Sequence, residues 1–391
     1  MKKLILFITV TTFFSYSGVS GQSVRLTGLQ SDHLETPIGV DNPTPRLSWR
    51  MDDSRQGAKQ TSYRVLVDKD SMKVVNGKAD IWDTGKINTG DMLITYAGKQ
   101  LEPFTKYYWK VIGGDLEYKE VFSPVSSFET GMMDIKNWQG SWIGDGQDIN
   151  YEPAPYFRKK FTTGKKIKSA RAYIAVGGLY ELYINGEKIG NHRLDPLYTR
   201  FDRRNLYVTY DVTGQLRNGD NAIGVLLGNG WYNHQSKAVW DFDRAPWRNR
   251  PAFCLDLRIT YSDGSVETIP TDLSWKTSSG ALIFNSIYTG EHYDARLEQK
   301  GWNTPDFDDS KWRGVGLRGV PSQNVVAQQV RPIRNVLTIP AKSVNKINDK
   351  TYVFDFGQNM AGVTNIKGSG EEGTEVRIMH GERLFDNGRI D

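Results

Sequence analysis

Short β-prone runs, each closed by a turn signal, constrain this chain more than any other feature. Runs rich in Tyr, Val, Ile and Leu occupy residues 170–176, 180–184 and 222–227. Between such runs stand Asn185-Gly186, Asn218-Gly219-Asp220, Asp263-Gly264 and Asn387-Gly388, which supply the left-handed backbone that tight turns need. Apolar residues at every second position turn one face of a strand to a core and the other to water. No long segment has a 3.6-residue period, and no tandem repeat is visible. The 391 residues exceed one ordinary domain. The expectation is an all-β chain of tandem β-sandwiches.

Three modules follow from the spacing. Residues 22–133 read as a fibronectin-III-like sandwich. Leu101, Pro103, Thr105 and Tyr107 have the pattern of a tyrosine corner, in which the hydroxyl bonds back to upstream backbone. Trp49, residues 63–67 and residues 127–130 supply further strands. Nothing in this module carries chemistry, and it reads as a spacer. Residues 138–325 hold the most strand-like sequence and read as a jelly-roll sandwich with a hairpin at Asn185-Gly186. Residues 330–391 start another sandwich, with strands expected at 352–356, 363–366 and 374–379 and a tight turn at 357–362. So few strands predict an incomplete, truncated domain.

Residues 1–21 read as a signal peptide: Lys2 and Lys3 precede an apolar run at 4–14, and Val19 and Gly21 sit at −3 and −1. The run is too short to span a bilayer, and cleavage would leave Gln22 first. The expected location is periplasmic or extracellular. The net charge is +5 and the basic residues are scattered, unlike the concentrated face of a nucleic-acid binder. Cys254 is the lone cysteine, in a strand-like segment, and reads as a buried inert thiol. His33, His192, His234, His292 and His380 fit no metal-binding spacing. No phosphate loop is present, so no metal and no cofactor are expected.

Carboxylates cluster at Asp241 and Asp243, at Glu291 and Asp294, and at Asp306, Asp308 and Asp309. A catalytic pair needs a defined separation and unequal environments. Turn formation and pairing with Arg296 account for these residues better. The aromatics are more informative. Trp231, Tyr232, Trp240, Phe242 and Trp247 are interleaved with Asn233, His234, Arg244, Arg248 and Asn249. Rings that accept the C–H face of a sugar, with a few placed polar groups, make a binding site. Trp is also highly buried on average, so core or interdomain packing of Trp231 and Trp247 is the competing reading.

Five segments in order (41–49, 178–186, 207–213, 227–232 and 354–362) resemble bacterial α-L-rhamnosidases. They read DNPTPRLSW, GLYELYING, YVTYDVT, LGNGWY and FDFGQNMAG. The resemblance implies a string of β-sandwiches followed by an (α/α)6 barrel whose carboxylates hydrolyse rhamnosides with inversion, roughly 6.5–9.5 Å apart. In that family those carboxylates lie downstream of everything here, so no catalytic residue is assigned. The chain is expected to be the non-catalytic front of a secreted glycoside hydrolase acting on rhamnose-containing glycans. A stand-alone glycan-binding or adhesion protein is the alternative. The second module is similar to carbohydrate-binding modules, and in some relatives the corresponding module uses calcium. Asp202 is where the resemblance directs attention, but Arg200, Arg203 and Arg204 beside it repel a cation. The candidate substrate-binding residues are Asp202, Trp231, Tyr232, Trp240 and Trp247.

Overall fold

In the computed structural model, residues 24–117, 119–237 and 240–391 are described. The signal-peptide reading lies outside them. The first module contains β1 (Arg25–Ser31), β2 (Ile38–Val40), β3 (Arg46–Asp52), β4 (Ser62–Asp68), a short helix α1 (Ser71–Val75), β5 (Trp82–Asp83), β6 (Leu93–Thr95), β7 (Lys106–Gly114), β8 (Glu120–Phe122) and β9 (Ser126–Thr130). One sheet has the order β1-β3-β6. The other runs β2-β9-β7-β4-β5, with β8 added to β7. The core between them holds Leu47, Trp49, Val65, Val67, Tyr107, Trp109 and Phe128. The tyrosine corner forms: the Glu102 backbone N–H donates to the Tyr107 hydroxyl at 2.9 Å, and the Tyr107 ring stacks on Phe128.

The second module begins with β10 (Ile143–Gly144), β11 (Pro155–Thr163), β12 (Ile167–Gly177), β13 (Leu179–Ile184), β14 (Glu187–Lys188), β15 (Asn205–Asp211) and β16 (Gly219–Gly228). It continues with β17 (Ala252–Tyr261), β18 (Val266–Pro270), β19 (Lys276–Ser279), β20 (Leu282–Ser286), β21 (Gly290–Tyr293), β22 (Arg313–Gly314), β23 (Gly316–Leu317) and β24 (Val325–Ala327). The sheet β23-β10-β17-β12-β15-β24, with β18 on β17, faces the sheet β14-β13-β16-β11-β19-β22. Inward residues such as Phe157, Ile174, Val225, Leu255 and Trp275 interlock between them, each fully buried aliphatic or Phe side chain stabilising by about 1.5–3 kcal/mol. The β13–β14 hairpin turns at Asn185 and Gly186, both at positive φ. That is the backbone a two-residue hairpin requires.

The first two modules share a core. Met132, Trp142, Tyr173, Tyr207, Cys254 and Val325 pack together across the junction, with Phe104 and Trp138 against them. Gly39 permits the approach: a Cβ there would lie 2.1 Å from Thr209 Oγ1. Arg171 of β12 grips Glu129 of β9 through two hydrogen bonds of 2.8 and 2.9 Å. Asp41 joins three segments. It accepts from Tyr207 Oη at 2.5 Å, from Met133 N at 2.7 Å and from Ala327 N at 2.8 Å.

In the last segment, β25 (Ser343–Asn348) and β26 (Thr351–Asp355) form a two-stranded ladder. The strands expected at 363–366 and 374–379 do not form. Val363, Ile366, Val376 and Ile378 are exposed. Alternating apolar residues make a strand only where a neighbouring strand takes up the backbone N–H and C=O groups, and none pairs with these.

Candidate functional site

One end of the second module gathers three connections: that between β14 and β15, that between β16 and β17, and the β20–β21 turn. Tyr198 on the first is 43% exposed and central. Its ring centroid lies 5.8 Å from Trp231, 5.9 Å from Phe242 and 6.3 Å from Trp247. Phe242 lies nearly parallel to Tyr288 at 6.5 Å. The indoles are fixed by their N–H groups. Trp231 Nε1 donates to Tyr288 Oη, and Trp247 Nε1 donates to the Trp231 carbonyl, each at 3.1 Å. The result is a rigid, partly exposed cluster of five rings, suited to the apolar face of a small ligand.

Polar groups stiffen the long β16–β17 connection from below. Asn229 N donates to Asn285 Oδ1 at 2.6 Å, and Asn229 Nδ2 to the Asn285 carbonyl at 3.0 Å. Arg248 donates to Asn233 Oδ1 at 3.1 Å and to Asn150 Oδ1 at 2.8 Å. Arg250, 1% exposed, pairs with buried Asp145 at 2.7 Å and also donates to the Tyr151 and Pro153 carbonyls. His234 is 1% exposed, with its ring 5.4 Å from that of Tyr288. Burial pushes its imidazole below the ordinary range, Asp243 opposes that shift, and Arg248 reinforces it.

The candidates from sequence divide. Trp231 and Trp247 belong to the ring cluster and are only partly buried; neither lies in the sandwich core. Tyr232 is a correction: it is 3% exposed and packs beneath the cluster, edge-on to Phe201 at 5.1 Å. Its ring covers Gly177, where a Cβ would come within 2.9 Å, so it offers no face to a ligand. Trp240 is 71% exposed. Asp202 is tied to Arg200 at 2.9 Å, which holds its carboxyl below the usual range. No group of three or more His, Cys, Asp or Glu able to hold a metal occurs among the described residues.

Three of the other carboxylates serve the fold. Asp309 pairs with buried Arg158 and with Lys276. Asp308 accepts from Ser310 N at 2.9 Å, and Asp294 pairs with Arg296 at 2.6 Å. Glu291 makes no such pair among the described residues and stays exposed on β21. Cys254 is 2% exposed and burial pushes its thiol up. Tyr198 and Tyr288, both missed by sequence reasoning, complete the ring cluster. They lie 33 residues before and 57 after Trp231, and only the placement of Tyr198 beside the segment 199–205 offered a signal.

Comparison with known proteins agrees with this architecture. The family profile described as the alpha-L-rhamnosidase N-terminal domain matches residues 165–337. The Rha78A-like N-terminal immunoglobulin domain matches 26–134, and the bacterial alpha-L-rhamnosidase concanavalin-like domain matches 345–391. An alpha-L-rhamnosidase of Formosa agariphila is 33% identical over 99% of this chain and 44% of its own length. One from Alteromonas sp. is 32% identical over 97% and 43%. Among solved structures, the alpha-L-rhamnosidase of Dictyoglumus thermophilum superposes with a TM-score of 0.78 at 40% identity, over 86% of this chain and 38% of that one. The chain thus spans less than half the length of each of these relatives. Its three matched segments, running from an immunoglobulin domain through the rhamnosidase N-terminal domain into the concanavalin-like domain, make it a member of the bacterial α-L-rhamnosidase family, corresponding to that family's N-terminal β-sandwich portion.

Proposed function

We propose that this chain is the non-catalytic, sugar-facing front of an exported α-L-rhamnosidase acting on rhamnose-containing glycans, and that the ring cluster of the second module holds a rhamnosyl unit. The observation that carries the second half is the set Tyr198, Trp231, Phe242, Trp247 and Tyr288, locked ring to ring at one end of a sandwich and still open to solvent. A sugar's C–H face packs on such rings, and its hydroxyls exchange water for protein with little net gain. Affinity should therefore be about −4 to −5 kcal/mol, a high-micromolar to millimolar Kd. Calorimetry with L-rhamnose against D-glucose tests this. Trp231→Ala should abolish the rhamnose heat and leave the circular dichroism spectrum unchanged. Equal heats for both sugars, or none up to tens of millimolar, overturn the reading. Export rests on Lys2, Lys3 and the apolar run after them. Protein recovered from outside the cytoplasm should begin at Gln22, and an intact Met1 there would contradict export.

A further inference from the structure

A cleft of about 460 Å³ lies between the first module and the segment that follows β24. Its first wall is the turn after β1. Ser31 and Leu34 exchange backbone hydrogen bonds of 2.9 and 3.0 Å, and Asp32 and His33 between them have φ of 48° and 66°. Both central residues of this tight turn are thus left-handed without being glycine, the backbone a two-residue hairpin requires. The turn presents the exposed His33 imidazole to the cleft. It also aims Asp32 inward, where the carboxylate accepts from Arg46 N at 2.9 Å and Asn42 Nδ2 at 3.0 Å.

The second wall is pinned on both sides. Gln328 N donates to the Tyr207 carbonyl, Gln328 Nε2 donates to Asp195 Oδ1 at 2.9 Å, and Arg193 N donates to the Ile333 carbonyl at 2.8 Å. Gln329 and Arg331 are therefore held in place. With Asp32 engaged, the cleft is left with an excess of donors. The Arg46 guanidinium is half exposed, and its contact with Asp32 is 3.8 Å, too long for a hydrogen bond. Arg331 is exposed and has no ion pair among the described residues.

We propose that this cleft binds an oxyanion carried on a sugar, a carboxylate or a sulfate ester, through Arg46, Arg331 and His33. Two guanidinium groups favour the planar or tetrahedral oxygens of such a group over a neutral hydroxyl. The volume admits one or two sugar rings. The cleft lies apart from the ring cluster and shares no residue with it, so the glycan would be read at two places. The inference rests on the proposed function for the ligand being a glycan; the oxyanion is argued from the cleft alone.

The test is titration of the full chain with D-galacturonate and with a galactose sulfate ester, against D-galactose at matched ionic strength. The expected result is millimolar binding of at least one charged sugar and none of galactose. Weakening by roughly tenfold is expected in the double variant His33→Ala, Arg331→Gln, both exposed positions. Trp231→Ala should leave this binding unchanged. The tighter of the two charged sugars identifies the oxyanion. Binding of both no better than galactose, or undiminished binding in the double variant, overturns the proposal. If rhamnose binds at the rings while the charged sugars do not bind, this proposal alone fails. If the charged sugars bind here while rhamnose does not bind, the ring-cluster reading alone fails.

Discussion

Replacing Asp41 with Ala should do more damage than its position in a connecting loop suggests. The carboxylate accepts three hydrogen bonds from three segments: Tyr207 Oη on β15, Met133 N at the exit of the first module, and Ala327 N on β24. Tyr207 is fully buried, and its hydroxyl also accepts from Met132 N at 2.9 Å. Hydrogen bonds to a charged group are worth about 1.5–3 kcal/mol each, and donors left unpaired in a protein interior add to the loss. Burial raises the Asp41 pKa, with Tyr207, Met133 and Ala327 opposing the shift, so desolvation offsets part of that gain. The net cost of Asp41→Ala is then about 3–5 kcal/mol after allowing for non-additivity within one network. The variant should also uncouple the modules, because Asp41 is where the first module meets β15 and β24 of the second. Urea denaturation followed by tryptophan fluorescence reads both effects, with one transition in the parent chain and two in the variant. A loss under about 1 kcal/mol with a single transition would refute the claim that Asp41 holds the junction.

Four further outcomes follow. Tyr107→Phe removes the hydroxyl that receives the Glu102 N–H and should cost about 1–2 kcal/mol by urea denaturation; an unchanged midpoint would show that the tyrosine corner contributes nothing here. Arg250→Met leaves the Asp145 carboxylate buried and unpaired, which should cost about 3–5 kcal/mol, and adding Asp145→Leu should recover much of that; additive losses in the double variant would contradict it. Asp256, 2% exposed, has its pKa raised by burial from 3.8 to about 6. The folded state therefore holds the proton more tightly, so its contribution to stability is fully present below 3.8 and is lost as pH rises through about 6; a carbon-detected titration of Asp256 with a midpoint below 4.5 would sink this. Finally, the purified chain should release no rhamnose from an aryl α-L-rhamnoside, and turnover abolished by a single Asp or Glu change would overturn the non-catalytic reading.

Local chemistry was legible in the sequence and distant pairing was not. The tyrosine corner and the Asn185-Gly186 hairpin each lie within a few residues, and both read directly. The five motifs of the resemblance fall on strands and on the connections beside them, Asp41 included. The parallel pairing of β24 with β15 has no local signal. Arg158 and Arg250 carry no local sign of burial, yet each is 1% exposed, because neutralising carboxylates and carbonyls come from loops far away in sequence. The ring cluster was half visible: Trp231 and Trp247 were close enough to be noticed, whereas Tyr198 and Tyr288 join them only through the fold. Tyr232 misled because the turn that follows β16 sends neighbouring side chains different ways, Trp231 toward the cluster and Tyr232 beneath it.

The central claim is that the ring cluster of the second module holds rhamnose. It is tested most directly by following indole N–H resonances in a ¹⁵N-labelled chain during titration with L-rhamnose. Trp231 and Trp247 should shift together along one millimolar isotherm while buried Trp109 and Trp275 stay still. Shifts confined to other tryptophans, or none at tens of millimolar sugar, would contradict it.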